Sequence, residues 1–489
     1  MKSKYLILLF IIPSLLNAQN YEWLNSFGHK GSDNIIGIST QSNGECVMAI
    51  YNSSSLVVND TLYFDKYKFK INEFPNIINN IYLVRLDSNG KVLNAKGIGY
   101  AFIRSFCGDN YGNVYISCSF NIDDNRCKID TLNLNKSNGK AVVAKFDKNF
   151  DLKWIVQTGN DTTSQIGVLK YCNNKLYFIG GSSDTTSIAY KTYYFKKVST
   201  SLFGEINTQN GSILWSNYLH INSCQEILIY DMISLNNKLY FAGISPFNCN
   251  GAKINSDTIL PGSGFIIMTD SLGIYIKNIL FKSKYTNIRT ISSDGKNIYV
   301  GGCFSDTVFW GAKKFSPFFK SGSNINEFFV AAVTYNLKPL WFYSPKVTKQ
   351  LSNSYNINNI ILKLTTSKGF IYIGGKFDNE IMIDSTIFSP KNVSSMLFLK
   401  MDSLNNVLWA TSGNNSKGTI ISIDANKENS VFVSGNFLDT VRCNSFFKLS
   451  KGSYDVFITK ITDYSITRGK VSPGPYCAGD TILIPYSKF

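Results

Sequence analysis

The amino-acid sequence predicts an all-β protein: a seven-bladed β-propeller with four-stranded blades, in which the N-terminal strand closes the last blade. Three observations lead to this prediction. The composition favours strands, and a unit of about 60 residues recurs along the chain. In addition, one strand is surplus at the N-terminus and one is missing from the last unit.

The composition is that of a strand-rich chain. Aromatic residues make up 14% of the 489 residues and charged residues only 17%, against about 25% charged in average proteins. β-Branched and aromatic residues, which favour strands, are plentiful. A chain of this length usually forms several domains, but in a repeat protein each added unit brings its own share of the core.

Residues 1-18 have the pattern of a signal peptide. Lys2 and Lys4 precede an apolar run over residues 5–16, and the small residue Ala18 follows. The run is shorter than the ~20 residues of a membrane-spanning helix, and no cysteine follows Ala18 to carry a lipid. We therefore expect cleavage after Ala18, no membrane insertion afterwards, and a secreted or cell-surface protein.

The net charge of +16 requires a nucleic-acid or anionic-surface partner to be considered. The lysines are scattered singly, however, and form no basic block. A low-GC genome, rich in lysine, asparagine and isoleucine codons, yields the same composition. We expect no nucleic-acid partner and at most weak attraction to polyanions.

One type of strand recurs as a short run centred on an aromatic residue and usually ending in glycine. From Tyr115 onward, the central aromatic residues follow one another at intervals of 59 to 73 residues. A turn-forming dipeptide usually precedes the run, and another β-type run before the turn completes a hairpin. The copies are residues 45–49, 114–118, 176–180, 239–243, 298–302, 371–375 and 431–435.

Two further strands complete each unit. The third alternates apolar and polar residues, as in residues 81–87, 141–147, 396–402 and 455–461. The fourth lacks a tryptophan near Asn94 and Lys277, and carries one in other copies: Trp154, Trp215, Trp341 and Trp409. Four short strands per repeated unit is the pattern of propeller blades.

The two ends of the chain complement each other. The last unit ends near Asp463 without a tryptophan strand, whereas residues 21–28 contain Trp23 and match residues 408–413. An open blade would expose unpaired N–H and C=O groups at its edge. We therefore expect the N-terminal strand to pair with the strand around Phe457, which closes a ring and sets the blade count at seven.

Large side chains and glycines at fixed blade positions have structural roles in this interpretation. The tryptophans and tyrosines are expected to fill the space between neighbouring sheets. The strand glycines are expected to permit close backbone contact near the centre or to mark bulges.

The units resemble the SBBP β-propeller repeats of exported bacterial proteins. Residues 112–115 are similar to the end of the family pattern. Further matches lie at Trp409, Gly413, Ile423, Asp424, Val431, Phe432, Gly435, Asp455, Phe457 and Lys460. The resemblance covers about residues 21–464 and implies the fold rather than an activity.

The C-terminal residues resemble a different module. They are similar to the opening of Ig-like β-sandwich modules in surface proteins of Bacteroidetes-type bacteria. We therefore expect the chain to consist of three segments: a signal peptide at 1-18, the propeller at 19-464, and a linker with a truncated start of an Ig-like module at 465-489. A sorting domain of the type IX secretion system, common in such proteins, is not visible in the sequence.

No residue cluster predicts a catalytic centre, a cofactor site or a metal site. The histidines, His29 and His220, belong to no motif, and we expect them on the surface or in loops. The ten cysteines form no CxxC pair and have no zinc-ligand spacing. Some can pair in an oxidising compartment, but their connectivity stays open.

Two alternatives concern the acidic residues. A carboxylate pair could serve glycoside hydrolysis, and the candidates are Asp123, Asp124, Asp378, Glu380 and Asp439. Recurring Asp-Thr or Asp-Ser segments, at residues 59–62, 129–132, 256–259 and 383–386, could instead bind calcium. Each offers one carboxylate where calcium needs about six to eight oxygens, so Asx or Ser/Thr turns fit better.

Three functions are compatible with this reasoning. The first is a monomeric, non-catalytic scaffold that binds a protein or glycan through loops at one face of the ring. The second is an extracellular carbohydrate-active enzyme with loop carboxylates at the channel mouth, and the third is a spacer in a larger surface protein. Converging carboxylates would favour the enzyme, and an aromatic patch on a loop face would favour binding. We expect the first.

Overall fold

The computed structural model of the chain consists of strands and their connections. It describes residues 19–53, 60–71, 79–119, 127–134, 140–158, 165–182, 186–188, 191–193, 200–219, 227–245, 253–254, 257–258, 260–318, 325–351, 357–390, 394–412, 417–426 and 430–463. These residues form 44 strands and no helix. Accordingly, no helix in this part of the chain could cross a membrane. The predicted signal peptide and C-terminal module lie outside the described residues.

The strands are numbered in chain order. They are β1 Gln19–Phe27, β2 Ser32–Thr40, β3 Cys46–Ser53, β4 Thr61–Phe64, β5 Tyr67–Lys70, β6 Asn79–Leu86, β7 Val92–Tyr100, β8 Phe102–Gly108, β9 Val114–Ser119, β10 Lys128–Ile129, β11 Leu132–Asn133, β12 Ala141–Phe146, β13 Leu152–Thr158, β14 Gln165–Cys172, β15 Lys175–Ser182, β16 Thr186–Ile188, β17 Lys191–Tyr193, β18 Thr200–Ile206, β19 Ile213–Tyr218, β20 Leu228–Leu235, β21 Lys238–Ile244, β22 Lys253–Ile254, β23 Asp257–Thr258, β24 Gly264–Asp270, β25 Tyr275–Phe281, β26 Thr286–Ser293, β27 Asn297–Phe304, β28 Val308–Trp310, β29 Lys313–Phe315, β30 Ile325–Thr334, β31 Pro339–Tyr343, β32 Lys346–Lys349, β33 Ile357–Asn358, β34 Ile360–Ser367, β35 Phe370–Phe377, β36 Glu380–Ile383, β37 Thr386–Phe388, β38 Ser395–Asp402, β39 Val407–Thr411, β40 Lys417–Ala425, β41 Ser430–Leu438, β42 Thr440–Cys443, β43 Phe446–Leu449 and β44 Asp455–Asp463.

The longer strands pair into antiparallel groups of four. We number the groups 1 to 7 in chain order and call their strands first to fourth. They are β2-β3-β6-β7, β8-β9-β12-β13, β14-β15-β18-β19, β20-β21-β24-β25, β26-β27-β30-β31, β34-β35-β38-β39 and β40-β41-β44-β1. Groups 6 and 7 also share one residue pair, Ser395 with Lys417, which joins them into a continuous sheet.

The first and second strands of each group are joined by tight turns where the sequence predicted hairpins. Asn173 and Asn174 connect β14 to β15, and Asn236 and Asn237 connect β20 to β21, all with positive φ. Asparagine adopts this conformation more readily than most residues because its short side chain bonds to the local backbone.

Every first strand contains a β-bulge at the same place. An isoleucine pairs normally, the next residue is skipped, and pairing resumes one residue later. In group 7, Ile420 pairs with Gly435 and Ile421 is skipped. A Cβ at Gly435 would lie 2.0 Å from the Thr419 carbonyl oxygen. The predicted role of the strand glycines is therefore confirmed, because the two backbones leave no room for a side chain.

The first strands lie side by side around a common centre. β2 contacts β8, and the contacts continue through β14, β20, β26, β34 and β40, which in turn contacts β2. Tyr115, Tyr240 and Tyr299, on second strands, are fully buried and fill space in the core, as predicted. Four-stranded antiparallel sheets packed around a centre are the arrangement of a β-propeller.

Some fourth-strand tryptophans also bond to the next group, whereas Trp215 Nε1 donates to Glu205 of its own group. Trp154 Nε1 donates to the Thr208 carbonyl oxygen at 3.1 Å. Lys145 Nζ, from the third strand, donates to the same oxygen at 2.8 Å. Thr208 lies in the turn between β18 and β19 of group 3. The tryptophan and the lysine of group 2 therefore form hydrogen bonds across the junction with group 3, in addition to their packing.

The N-terminal strand occupies the fourth position of group 7. β1 pairs antiparallel with β44 over its whole length, with Ser26 opposite Phe457, as the sequence predicted. Trp23 Nε1 donates to the Ser88 carbonyl oxygen at 3.0 Å, and Lys460 Nζ donates to it at 3.3 Å. Group 7 is thus fastened to group 1 by the same pair of bonds that joins group 2 to group 3.

A short hairpin follows the second strand of each group, which the sequence analysis did not predict. Asp130 and Asp384 have positive φ at hairpin turns. These two Asp-containing segments are therefore turns, the structure that the sequence analysis favoured over calcium binding. Asp60 instead precedes its hairpin and accepts bonds from the Lys30 and Thr61 N–H groups. The hairpins are β4-β5, β10-β11, β16-β17, β22-β23, β28-β29, β36-β37 and β42-β43.

Antiparallel order decides which end of the sheets these hairpins occupy. The second-to-third connections and the links between successive groups emerge at one end, and the other turns emerge at the opposite end. We call the first of these the hairpin end.

Candidate functional site: a charged central channel

The first strands enclose a channel at the centre of the molecule. Its volume is about 350 Å³, and residues from all seven groups line it. Its lining falls into layers, because successive residues of a strand point to opposite sides. The skipped bulge residues form the layer nearest the hairpin end, which we call the mouth layer: Ile36, Arg104, Gly167, Tyr230, Arg289, Leu362 and Ile421.

The layer below the mouth bonds neighbouring groups together. The inner edge of each first strand has no pairing strand, so its N–H groups need other acceptors. Ser105 Oγ accepts from the Leu169 N–H at 2.9 Å. Ser422 Oγ of group 7 accepts from the Ile38 N–H of group 1 at 3.2 Å, so the same kind of bond joins the last group to the first.

Asp231 is the charged centre of this layer. Its Oδ1 lies 3.1 Å from Lys170 Nζ and its Oδ2 lies 3.3 Å from Lys363 Nζ. Oδ2 also accepts from the Ile291 N–H at 3.2 Å. These residues belong to four groups, so one buried carboxylate connects much of the channel wall.

The two lysines keep Asp231 ionised. Burial alone would raise the pKa of Asp231, but Lys170 and Lys363 outweigh it and lower this pKa to about 2. Burial also acts to lower the pKa of Lys170, but the carboxylate of Asp231 leaves it raised. For Lys363, burial prevails over Asp231 and lowers the pKa. A carboxyl with so low a pKa is poorly suited to act as a general acid near neutral pH.

Asp424 lies in the next layer and is also bonded to the protein. Its Oδ2 accepts from the Thr40 N–H at 2.8 Å and the Thr40 hydroxyl at 3.0 Å, and its Oδ1 accepts from the Ala425 N–H at 3.0 Å. Burial raises the pKa of Asp424 against these bonds. The two channel carboxylates therefore have pKa values shifted in opposite directions.

Two arginines of the mouth layer face the same cavity from different groups. Arg104 Nε donates to Ser119 Oγ at 2.9 Å. The Arg289 guanidinium lies 4.3 Å from the centre of the Tyr230 ring, close enough for a cation–π interaction. The mouth is therefore a cationic and partly aromatic surface.

His29 lies in the loop between β1 and β2, one of the two predicted settings, but it is buried at the junction of groups 7 and 1 and is not a surface residue. It is 2% exposed, and its Nδ1 lies 2.7 Å from Asp33 Oδ2. Asp33 and Asp455 are buried beside it. The charge of Asp33 contributes to a raised pKa of Asp455. The burial of His29 has a physical cause: the loop between β1 and β2 packs between two groups that are far apart in sequence. His220 lies outside the described residues.

The acidic candidates from the sequence do not assemble into an observed site. Glu380 accepts bonds from the Thr348 and Ser389 hydroxyls. Asp378 is buried, and Asp439 immediately precedes β42. Asp123 and Asp124 lie outside the described residues. Within the described ranges, no group of three or more His, Cys, Asp or Glu residues is placed to hold a metal ion.

Six cysteines of the described part of the chain are free thiols. They are Cys46, Cys107, Cys118, Cys172, Cys303 and Cys443. Burial raises the pKa of Cys107, Cys303 and Cys443 to about 12. A protonated thiol is a poor nucleophile, so these three residues are unsuited to covalent catalysis.

The hairpin end also exposes aromatic side chains beside cations. Tyr63 of β4 is 44% exposed and Phe447 of β43 is 55% exposed. Lys451 Nζ lies 6.0 Å from the centre of the Tyr63 ring, and the Arg442 guanidinium lies 5.3 Å from that of Phe447. Lys451 follows β43, so it connects the hairpins of groups 7 and 1. We call these four residues the hairpin patch.

These features define the chain as a β-propeller protein with a charged channel. No protein-family model matches the sequence, and no curated protein matches it. Similar solved structures include the Dos1 propeller, with 12% identity and a TM-score of 0.40 over 90% of this chain and 96% of that one. Another is the quinohemoprotein alcohol dehydrogenase from Comamonas testosteroni, with 10% identity, a TM-score of 0.40 and coverage of 91% and 76%. A third is the Pyrococcus horikoshii acylaminoacyl peptidase, with 9% identity, a TM-score of 0.42 and coverage of 86% and 54%.

Proposed function

We propose that the chain is a seven-bladed propeller closed by β1, and that it is an exported, non-catalytic scaffold of SBBP type that binds a protein or glycan at its hairpin end. The main support for a closed ring is the series of contacts between neighbouring first strands, which runs from β2 through β40 and back to β2. The bond from the Ile38 N–H to Ser422 supports the same closure.

Binding at the hairpin end is supported by the hairpin patch. Exposed aromatic rings stack on sugar and peptide surfaces at small entropic cost, because their side chains have few rotatable bonds. The cations beside Tyr63 and Phe447 add attraction for acidic ligands. The described carboxylates of the channel are engaged in bonds within the protein, which supports a non-catalytic role.

The alternative function is a carbohydrate-active enzyme. The observation that favours it is the pair Asp231 and Asp424, whose pKa values are shifted in opposite directions. Such a pair is what acid–base chemistry on a glycosidic bond requires. A role as spacer in a larger surface protein is compatible with the fold as well.

A glycan array probed with the chain from Gln19 onward tests the binding function. We expect Tyr63→Ala and Phe447→Ala to weaken the signal. The matched control is Tyr111→Ala, because Tyr111 is 74% exposed in a turn at the opposite end. Equal loss with Tyr111→Ala would contradict binding at the hairpin end. Release of sugars from an arrayed glycan, abolished by Asp424→Asn, would establish the enzyme instead.

A further inference from the structure

We propose that the mouth of the central channel binds an oxyanion (a carboxylate, sulfate or phosphate group) between Arg104 and Arg289. The inference rests on the proposed closed ring, because these arginines belong to groups 2 and 5 and the ring is what encloses the cavity they share. The site is distinct from the hairpin patch, whose residues do not line the channel.

The fold does not require arginine at these positions. Each is the skipped residue of a bulge, which strand pairing leaves out. The equivalent position holds Gly167 in group 3 and Leu362 in group 6. Placing a cation in a cavity costs solvation free energy, and a bound anion offsets that cost.

Both guanidinium groups are positioned without being neutralised. Arg104 is held through Nε by Ser119. Arg289 stacks on Tyr230, and its Nε and Nη2 donate to the Asn287 amide oxygen at 3.1 and 3.0 Å when that amide faces it. Among the residues that the structure describes, no carboxylate forms an ion pair with either arginine. The fork of guanidinium N–H donors matches the geometry of an oxyanion.

The layers beneath the mouth leave the channel positive. The lining contains four basic side chains, Arg104, Lys170, Arg289 and Lys363, and two acidic ones, Asp231 and Asp424. Since Asp231 is shared by two lysines and Asp424 bonds to Thr40, neither carboxylate compensates the arginines. Walls of low dielectric concentrate this field in the channel, and its volume of about 350 Å³ admits a group of monosaccharide size.

Isothermal titration of the chain from Gln19 onward with sodium sulfate, sodium phosphate and sodium glucuronate tests the site. Glucose serves as the uncharged control. We expect saturable binding of at least one anion, weakened about tenfold by Arg104→Gln or by Arg289→Gln, because each removes a charge-assisted pair. Lys296→Gln, which removes one positive charge from the exposed turn between β26 and β27 at the opposite end, leaves this binding unchanged. Preference for glucuronate identifies an acidic sugar, and preference for sulfate or phosphate identifies a free ion.

Three results would overturn the proposal: no saturable binding of any of these anions, equal binding by the two channel variants and the wild type, or loss of binding in Lys296→Gln. Thermal melting of each variant shows that weaker binding is not unfolding. If glycan binding at the hairpin patch persists while anion binding is absent, only the channel site is wrong. If the patch fails while the arginine variants still lose anion binding, only the hairpin-end function is wrong.

Discussion

At the scale of single residues, an isoleucine pairs with a glycine at the bulge in five of the seven first strands. Ile420 faces Gly435, and the skipped Ile421 turns into the channel. A methyl group at Gly435 would collide with the Thr419 carbonyl oxygen, which is backbone and cannot move aside. In group 7 the glycine therefore permits the close approach of the two backbones at the bulge.

Gly435→Ala is expected to destabilise the protein by about 2 kcal/mol, because overpacking here displaces backbone. The matched control is Gly167→Ala, at the bulge of group 3, where no atom lies within 4 Å of the added Cβ. Urea unfolding midpoints measure both. Equal midpoints for the two variants would show that the close approach does not restrict Gly435.

The buried carboxyl of Asp455 predicts a pH dependence of stability. Burial, with the charge of Asp33 adding to it, raises its pKa from 3.8 to about 6. Between these pH values the folded state holds a proton that the unfolded state releases, so this residue's contribution to stability falls as the pH rises. Asp455→Asn removes the ionisation, and Asn can still accept the Lys451 N–H bond that Asp455 Oδ2 accepts.

We therefore expect the difference in unfolding free energy between Asp455→Asn and wild type to shift in favour of the variant by about 1 kcal/mol from pH 4 to pH 7. Urea titrations at several pH values measure it. A difference that stays constant over this range would show that Asp455 does not titrate there.

At the scale of strands and turns, Trp341 of the fourth strand β31 bonds its group to the next one. Trp341 Nε1 donates to the Ser403 carbonyl oxygen at 2.9 Å. Trp341→Phe keeps much of the ring area and loses this bond, so we expect a cost of about 1 kcal/mol in addition to the smaller ring. Trp310→Phe is the comparison, since Trp310 Nε1 has no partner among the described residues. Thermal unfolding of the two variants separates the bond from the packing.

The sequence predicted those elements whose signals are local. The Asn173-Asn174 turn depends on the backbone preference of asparagine. The fourth-strand tryptophan is placed by the burial of its ring. Both signals can be read from a few neighbouring residues. The short hairpins were missed because β10 and β11 have only two residues each and carry no alternation.

The channel could not be predicted in the same way. Lys170 and Lys363 meet Asp231 across 61 and 132 residues, so their contact depends on how the groups are placed around the centre. The burial of His29 has the same origin, because it needs group 7 beside group 1. A local signal did exist for the lining: an isoleucine precedes the skipped residue in all seven first strands.

At the scale of the whole molecule, the junction of groups 7 and 1 has the same kind of bond as several other junctions. Ser422 bonds to the Ile38 N–H as Ser105 bonds to the Leu169 N–H. In a closed ring every group has two neighbours and each junction contributes to the stability of the whole. In an open row, group 7 would have an unpaired edge. The N-terminal strand should then contribute as much stability as an internal one.

Trp23 and Trp154 test this equality because they are matched. Both are 9% exposed, and both donate Nε1 to a turn carbonyl of the next group, at 3.0 and 3.1 Å. If β1 closes the ring, Trp23→Ala and Trp154→Ala each cost about 3–5 kcal/mol in urea unfolding. A frayed terminal strand would instead give Trp23→Ala a cost of only a few tenths of a kcal/mol. Hydrogen exchange of the β1 amides distinguishes the two cases independently, since in a closed ring they are protected as strongly as those of β13.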